Sequence, residues 1–454
     1  MQPPFDIAAD LHTPVSAFLR LAPLKPRYLL ESVGYTGQAR YSFIGLGDVA
    51  GVLVGEEGVL ADGELLSPDP LQGLRAALSR APRCVPMVEG QPFSGGLVGV
   101  TSFDLVRRLY SLPPSRHPSS APLGRYMTTE SMLVFDHLTR RIALLHSGPA
   151  SDREVLRGEV VRELRGPLSD SAPPASHGAA TASLTKRQHR AGVARAKQHI
   201  AAGDVYQIVL SARFAGETDV DPFTTYRALR LLNPSPYMYY LDFDDFQVVG
   251  SSPEALVKLR GRTAELRPIA GTMPRGRDDE EDRLLERKLL ADSKEAAEHV
   301  MLVDLARNDL GRTAVAGTVV VSPYRIIERY SHVMHLVSGV VGEVAEGLGA
   351  FDLFAATFPA GTVSGAPKLR AIELIDELEP VNRGLYAGTV GYFGHGATMD
   401  QAIAIRTIVF EEGRYSYQAG GGLVADSDPD AEHEEILSKA GAMRAALELA
   451  KEGM

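Results

Sequence analysis

The sequence predicts an α+β protein whose strands pair mostly antiparallel. Short β-like runs bounded by glycine recur along the chain, and consecutive runs are often joined by only a few residues. Helical patterns do not alternate regularly with single strands, as they do in a doubly wound parallel sheet. The 454 residues, 44% of them hydrophobic, suffice for more than one large core and a buried pocket.

The patterns of the first 165 residues are short. Strand-like runs lie at 41–44, 51–54 and 132–135, and residues 71–78 have the spacing of a helix.

From residue 185 the patterns become longer. A helical period predicts a helix over 185–202, and Gly203-Asp204 then turns the chain into a strand over 205–214. Further strands are predicted at 246–249, 315–321 and 388–393, and further helices within 278–309 and over 368–378 and 430–448.

A compositional break divides the chain unequally. Residues 166–185 are rich in Ser, Pro, Ala and Gly and have few large apolar side chains, as is typical of a linker or exposed loop. We therefore predict an N-terminal region at 1–165, a linker or loop at 166–185, and a larger C-terminal domain at 186–454.

The composition excludes several classes of function. With 47 basic against 57 acidic residues the net charge is -10, which argues against nucleic-acid binding and against a polybasic membrane surface. The single cysteine, Cys84, allows no intramolecular disulfide and no thiolate metal site within the chain. No run of about 18 apolar residues predicts a membrane span, and no export signal is visible. We expect a cytoplasmic protein.

Two predicted helices each carry a pair of glutamates three residues apart, Glu295 with Glu298 and Glu432 with Glu435. Residues at this spacing share a helix face, so each pair can direct two carboxylates at one point. A solvated helix face is the simpler interpretation of either pair alone. If both faces meet, the carboxylates repel unless a divalent cation neutralises them, and Mg²⁺ suits such hard oxygen ligands.

Three consecutive glycines, Gly420, Gly421 and Gly422, follow a strand-like run at 415–417. Their backbone N–H groups can approach an anion closely, although a triple glycine is equally typical of a mobile turn. Arg406 lies inside the apolar run 402–408, where a guanidinium needs a carboxylate partner. The pattern leaves open whether that partner belongs to the protein or to a ligand.

These features occur in an order that closely resembles the chorismate-utilising enzymes, and among them the large synthase subunit of anthranilate synthase. The matching segments are GDVYQIVLS from Gly203, NPSPYMYYLDF from Asn233, GSSPEAL from Gly250, PIAGTMPRG from Pro268, SKEAAEHVMLVDLARNDLGR from Ser293, FPAGTVSGAPK from Phe358, LYAGTVGYF from Leu385 and GGGLVADSDPDAEHEEILSK from Gly420. Shorter matches precede the linker. The resemblance implies two largely antiparallel β-sheets packed as a sandwich core with surrounding helices, and a chorismate-binding catalytic domain at 186–454.

The resemblance also implies how both carboxylates of chorismate are bound. Glu298 and Glu435 would hold Mg²⁺ against the ring carboxylate, with Glu295 and Glu432 nearby. The set expected around the rest of the substrate comprises Tyr386, Arg406 and the backbone of Gly420, Gly421 and Gly422 at the enolpyruvyl carboxylate, Gly271 and Thr272 at the ring, and Lys439 as an added positive charge.

Four residues are expected in the chemistry: Glu254, Thr272, His335 and Gln207. By resemblance, Glu254 is the general acid toward the departing C4 hydroxyl, so its pKa must be raised by burial or by neighbouring carboxylates. His335 matches a histidine that serves the later elimination of pyruvate. The structural alternative is that His335, which lies in an apolar stretch, is only a hydrogen-bonded residue of the core.

Two positions discriminate among the relatives. Those that add water at C2 carry a lysine base where this chain has Gln207, and an amide cannot act as a base. Those that make 4-amino-4-deoxychorismate typically carry a nucleophilic lysine where this chain has Ala270. Ammonia attack at C2 followed by loss of pyruvate is therefore predicted, with anthranilate as the product and 4-amino-4-deoxychorismate synthase component I as the alternative. An inactive amino-acid-binding scaffold is the alternative from a different class.

The ammonia is expected from a glutamine amidotransferase on a separate chain. Such an enzyme needs a nucleophilic cysteine, and Cys84 lacks the strand–turn–helix glycine context of a nucleophile elbow.

Two segments resemble the feedback site for tryptophan of the family. They are LLES at 29–32 and NPSPYM at 233–238, and the residues expected to bind the inhibitor are Glu31, Ser32, Pro236, Tyr237 and Met238. A proline-restricted turn is the structural alternative for the second segment.

Overall fold

The computed structural model describes residues 4–33, 40–87, 90–168, 175–330 and 333–453. The described α-helices, in chain order from α1 to α12, are Pro14–Arg20, Pro70–Arg80, Val106–Leu109, Ala150–Leu164, Lys186–Ala201, Pro222–Leu232, Asp279–Ala291, Ser293–Gly311, Ala350–Thr357, Gly361–Ser364, Lys368–Leu378 and Pro429–Lys451.

The described strands, in chain order from β1 to β24, are Ile7–Ala8, Pro26–Glu31, Tyr41–Val54, Val59–Ala61, Glu64–Ser67, Gly96–Thr101, Gly124–Asp136, Arg141–His146, Thr181–Ala182, Gln207–Glu217, Tyr237–Asp242, Phe246–Ser252, Ala255–Arg260, Thr263–Leu266, Ile269–Pro274, Val320–Val321, Ile326–Arg329, Val333–Val337, Val340–Glu343, Gly365–Ala366, Thr389–Gly394, Thr398–Ile403, Thr407–Glu411 and Arg414–Leu423.

The predicted α+β class is confirmed. Every strand pairing within the described ranges is antiparallel, and 21 of the strands form one continuous hydrogen-bonded network. β15, β18 and β17 form a separate three-stranded sheet. About half of the pairings join consecutive strands, as antiparallel sheets permit, and the others join strands that are distant in the chain, such as β10 with β24.

The network folds over itself so that two of its layers pack face to face. A cluster of buried side chains from β2, β3, β7, β8, β11 and β12 meets others from β6 and β21 without any helical residue. Phe43 of β3 and Tyr392 of β21 lie on strands that do not pair, yet their ring centroids are 6.4 Å apart. The expected sandwich is therefore present, and its layers are continuous parts of one network.

Helices cover the outer faces of these layers. Alternation along β11 shows the division: Tyr239 and Leu241 point into the sandwich, whereas Met238 and Tyr240 pack with α1, α4, α6 and α12. A second outer core joins α2, α8 and α9 to the opposite part of the network.

Most predicted elements are confirmed, with two differences. The runs at 41–44 and 51–54 are the two ends of β3, a single strand of 14 residues. The predicted strand at 315–321 is wrong except for β16, because Gly317 has a φ of +82° and makes a turn that no strand can contain.

The sheet joins the two ends of the chain. β2 pairs with β11 and β6 pairs with β21, so strands from 1–165 and 186–454 share hydrogen bonds. Within the predicted linker, residues 169–174 lie outside the described residues. The division into domains stays a prediction.

Across the described ranges, no helix is both long enough and apolar enough to cross a membrane.

Candidate active site

The site is organised by the pairing of β10 with β24. Ser211 lies opposite Gly420, and Val209 opposite Gly422, so the three glycines form part of a strand and not the turn that was one alternative. A Cβ atom on Gly420 would lie 2.6 Å from the hydroxyl oxygen of Tyr386 and 2.8 Å from Cβ of Ser211. Glycine here lets a buried tyrosine reach the backbone of β24.

Gln207 approaches the same face of β24. A Cβ on Gly422 would lie 2.6 Å from Nε2 of Gln207. The Gln207 side chain is buried, and within the described structure its Oε1 has no hydrogen-bond partner. An unpartnered buried acceptor is poised to receive an N–H group from a ligand.

The other face of β24 meets the glutamate pair of α12. A Cβ on Gly421 would lie 3.1 Å from Oε2 of Glu432 and 3.7 Å from Oε1 of Glu435. Nζ of Lys439 donates to the carbonyl oxygen of Gly420 at 3.2 Å and pairs with Glu435 at 2.7 Å. The second expected carboxylate pair therefore lies directly on the glycine strand.

The glutamate pair of α8 meets a bulge in β15. Gly271 has a φ of +61° and interrupts the register between β15 and β18, as a glycine in a bulge does. A Cβ there would lie 3.1 Å from Oε2 of Glu295. Nδ1 of His335 donates to the Gly271 carbonyl at 3.1 Å, and the Thr272 hydroxyl lies 3.2 Å from the same nitrogen. Four of the expected residues thus form one cluster.

The protonation state of His335 follows from this geometry. A carbonyl oxygen can only accept, so Nδ1 carries the proton and Nε2 keeps its lone pair. Burial lowers the pKa of His335, and the positive charge of Arg406 adds to this effect. His335 is therefore neutral at pH 7 with a basic nitrogen available.

Within the described ranges, Arg406 lacks the protein carboxylate that was one of the two alternatives for it. It lies between β22 and β23 with a φ of +50°, and its side chain is half-buried. Within the described ranges no carboxylate lies within 4 Å of its guanidinium, although burial lowers its pKa. A half-buried guanidinium without a protein counter-ion leaves its positive charge available to an anionic ligand.

Glu254 has the pKa that a general acid requires. It directly precedes β13, and loss of water contact raises its pKa to about 8, a rise that the Thr362 hydroxyl of α10 partly offsets. Burial alone therefore meets the requirement, without a neighbouring carboxylate. At pH 7 most Glu254 side chains carry a proton.

The two glutamate pairs supply oxygen ligands without closing into one cluster. Among residues with a described position, no group of three or more His, Cys, Asp or Glu side chains could hold a metal ion. Glu298 is half-buried, and Glu435 is exposed. The donor chemistry still fits Mg²⁺, which prefers oxygen ligands. Burial and repulsion from the neighbouring glutamate raise the pKa of Glu295 and of Glu432, and a bound cation would relieve this repulsion. The buried Oε2 of Glu432 also has no hydrogen-bond partner in the described structure.

Two buried residues, one of them beside Glu298, are not suited to a role in the site. His299, next to Glu298, is fully buried, bonds Ser338 through Nε2 at 2.7 Å, and has its pKa lowered to about 4 by burial. Cys84 is buried and its thiol pKa is raised to about 12, so it remains protonated and unreactive.

The expected regulatory residues all line one cavity of about 530 Å³, to which Glu31, Ser32, Pro236, Tyr237 and Met238 contribute. Pairing of β2 with β11, which sets Glu31 opposite Met238, brings the two segments together. The carboxylate of Glu31 is already occupied, because Arg230 donates to it at 2.9 Å and the Tyr226 hydroxyl also donates to it.

The same cavity extends toward the candidate catalytic histidine. Ile269 of β15 and Tyr330 also line it, and the ring centroids of Tyr330 and His335 are 5.5 Å apart. The expected regulatory residues and the His335 cluster therefore border a common wall.

Several residues near the site were not found from the sequence. They include Thr362 beside Glu254, the buried ion pair of Glu379 with Arg383 behind Tyr386, and Ser211, which joins that pair to β24. A Glu and an Arg at i and i+4 directly before the LYAG segment were the available signal, but such pairs are usually exposed.

The fold and these contacts define an α+β protein that combines a half-buried guanidinium, without a carboxylate partner in the described ranges, with a carboxylic acid held protonated. A protein family described as chorismate binding enzyme matches residues 26–445. The chain belongs to this family.

Relatives of similar length are known. Anthranilate synthase component 1 of Pseudomonas aeruginosa is 44% identical, covering 99% of this chain and 96% of its own. That of Thermus thermophilus is also 44% identical, covering 98% and 97%. The crystal structure of anthranilate synthase component I from Streptococcus pneumoniae has a TM-score of 0.81 at 34% identity, covering 98% and 100%.

Proposed function

We propose that the chain is the synthase component of an anthranilate synthase, which converts chorismate and ammonia into anthranilate, pyruvate and water. The observation that carries the proposal is Arg406, a half-buried guanidinium without a carboxylate partner in the described ranges, next to the candidate base His335. Arg406 matches the enolpyruvyl carboxylate in charge, and the Tyr386 hydroxyl, which lies against Gly420 of β24, would add a neutral donor.

The first step joins nitrogen to C2 and breaks the C4–O bond. Glu254 gives its proton to the departing hydroxyl, which leaves as water. Oε1 of Gln207 can accept an N–H group of the incoming ammonia, whereas an amide cannot deprotonate water for the competing hydroxylation. Ala270 is buried and offers no amine, so a covalent lysine route is closed.

The second step removes the proton from C2 and breaks the bond between C3 and the ether oxygen, releasing pyruvate and leaving the aromatic ring. Nε2 of His335, whose lone pair is free because Nδ1 faces the Gly271 carbonyl, is suited to serve this elimination.

A divalent cation belongs to this proposal. Glu298 and Glu435, with Glu295 and Glu432 nearby, would hold Mg²⁺, which when bound neutralises the ring carboxylate of chorismate. The protein contributes the two helix faces and the glycine positions 271 and 421, which leave room beside them.

The partner and the regulator are also proposals. A separate glutamine amidotransferase chain supplies ammonia, since Cys84, the only cysteine, is buried and protonated. Tryptophan binds in the 530 Å³ cavity at Ser32 and residues 236–238 and acts on the site through the wall shared with Tyr330. The cytoplasmic location stays a prediction.

The test is an assay of the isolated chain with chorismate, ammonium and Mg²⁺. We expect anthranilate fluorescence to appear with ammonium and not with glutamine. Arg406→Gln should lower kcat/KM for chorismate at least about 100-fold, because a charged hydrogen bond to substrate is lost. Arg187→Gln, which removes an exposed arginine of α5, is the matched control. Absence of anthranilate from the wild-type chain, or full activity in the Arg406 variant, contradicts the proposal.

A further inference from the structure

A fully buried ion pair lies directly behind the substrate-binding face. Arg383 and Glu379 are both only 3% exposed, and they lie between α11 and β21. Nη2 of Arg383 donates to Oε1 of Glu379 at 2.7 Å, and Nε donates to Oε2 at 3.0 Å. This two-point contact fixes the plane of the guanidinium as well as its position.

The remaining contacts of the pair reach three separate parts of the site. Nη1 of Arg383 donates to the carbonyl of Val363 in α10 at 2.6 Å, next to the Thr362 that faces Glu254. Nη2 also donates to the carbonyl of Val209 in β10 at 2.8 Å. One guanidinium thus ties the helical turn beside the acid to the strand that carries Gln207.

Glu379 makes the corresponding contact with the glycine strand. Its Oε1 accepts from the backbone N–H of Ser211 at 2.8 Å and from the Ser211 hydroxyl at 2.7 Å. Ser211 lies opposite Gly420, and its Cβ limits the space at that glycine. The carboxylate therefore holds β10 at the position where β24 faces the substrate.

Arg383 also lies against the ring of Tyr386. The guanidinium carbon is 5.4 Å from the centroid of that ring and 4.8 Å from the centroid of Phe103. A cation near an aromatic ring is attracted to its π-face and withdraws charge from the ring. Burial raises the pKa of Tyr386 to about 12, and the positive charge of Arg383 opposes this rise, which makes the phenol a better donor.

Stability alone is a poor reason for such a pair. Replacing a buried ion pair by apolar side chains is often neutral or stabilising. A role in positioning neighbouring residues is therefore a better explanation of this pair than stability. The pair contacts Tyr386, Ser211 and Val363, which belong to the substrate face, the glycine strand and the acid side of the site.

We propose that Glu379 and Arg383 are positioning residues that hold Tyr386 and Gly420 against each other and keep the Tyr386 hydroxyl directed and polarised as a donor to the substrate carboxylate. This inference rests on the proposed function, in which Tyr386 binds the enolpyruvyl carboxylate of chorismate.

The test is a double-mutant cycle on ammonium-dependent anthranilate formation. Arg383→Met and Tyr386→Phe should each lower kcat/KM for chorismate at least tenfold. In the double variant the loss should stay within about threefold of the larger single loss, because both changes remove one shared interaction. Independent effects would instead multiply to at least about 100-fold, and that result overturns the inference.

Two further variants separate positioning from folding. Arg383→Met leaves Glu379 buried and unpaired, so the cycle is repeated with Glu379→Gln/Arg383→Met, which removes both charges. Arg383→Lys keeps the charge near the Tyr386 ring and should recover part of the lost kcat/KM, whereas equal loss in the Lys and Met variants contradicts polarisation of Tyr386.

Arg370→Met is the matched control. Arg370 of α11 pairs with Glu373 at 2.9 Å near the protein surface, and no described contact joins it to Glu379, Arg383 or Tyr386. Its kcat/KM should change less than threefold. Lack of anthranilate formation by the wild-type chain overturns the proposed function, whereas wild-type activity with multiplicative losses overturns only this inference.

Discussion

Individual side chains of the site have properties that their neighbours impose. Burial of the Glu254 carboxyl raises its pKa to about 8, and burial near Arg406 lowers the pKa of His335, which keeps it neutral. An acid and a base that coexist at neutral pH are what successive proton donation and proton abstraction require. Arg406 differs from both, because it is a cation and no described carboxylate lies beside it.

At the residue scale, we predict that activity depends on protonated Glu254. The value of kcat/KM for chorismate, measured at constant free ammonia, should fall as pH rises through about 8, because the raised pKa means that the acid is present below this pH and lost above it. Glu254→Gln should lower kcat about 100-fold or more, since an amide cannot donate the proton.

The control for Glu254 is Glu343→Gln, at an exposed glutamate that pairs with Arg262 at 3.3 Å. It should keep the wild-type pH profile. A wild-type profile that is flat between pH 7 and 9 would show that Glu254 is not the acid.

At the scale of single elements, β24 is the part of the site with the least tolerance for change. Its alternation puts Gly420 and Gly422 toward Tyr386 and Gln207, and Gly421 toward the glutamates of α12. Glycine is needed most at 420, where a Cβ would meet Ser211 Cβ at 2.8 Å and the Leu210 backbone oxygen at 2.9 Å. Glycine is also favoured at position 271, but for a different reason. Its φ is positive, and residues with a side chain rarely adopt that backbone conformation.

We predict that Gly420→Ala lowers kcat/KM at least tenfold. Its Cβ would lie 2.6 Å from the Tyr386 hydroxyl oxygen and 2.9 Å from the backbone oxygen of Leu210, so the strand or the tyrosine must move. Gly441→Ala in α12 is the control, because nothing lies within 4 Å of its Cβ. It should keep full activity and stabilise the protein by about 0.5–1 kcal/mol, as alanine does in a helix. Thermal unfolding and steady-state rates measure both effects, and equal activity of the two variants contradicts the prediction.

At the scale of the whole molecule, the folding of one continuous sheet into two layers brings distant segments to common sites. Segments 29–32 and 236–238 meet because β2 pairs with β11, and the cavity they line extends to Tyr330 near His335. A ligand in that cavity would contact segments that are far apart in the chain. It would change the site by binding one conformation of the protein more tightly than another.

We predict that tryptophan inhibits ammonium-dependent activity and that Ser32→Leu raises the tryptophan concentration for half-inhibition more than tenfold, because the larger side chain occupies part of the cavity. Ser79→Leu, on the exposed surface of α2, is the control and should retain the wild-type response. Rates measured over a tryptophan series decide the matter. Unchanged inhibition in Ser32→Leu, or none in the wild type, refutes this role of the cavity.

The sequence by itself determined the elements and the chemistry they carry. Helical and strand periods depend on residues a few positions apart, so both ends of α2, α5, α11 and α12 were predicted to within three residues. The helical period also predicted the face shared by Glu295 and Glu298. The residue types at 207 and 270 likewise pointed to ammonia and away from a covalent lysine.

Only the tertiary structure decided which of these groups are buried, paired or free. The pKa of Glu254, the lack of a described carboxylate at Arg406 and the burial of the ion pair of Glu379 with Arg383 depend on segments far apart in the chain. The turn at Gly317 and the strand conformation of residues 420–422 also departed from local patterns. The physical reason is that packing between elements decides which side chains lose contact with water and which charges approach each other. Local periodicity in the sequence contains no information about that packing.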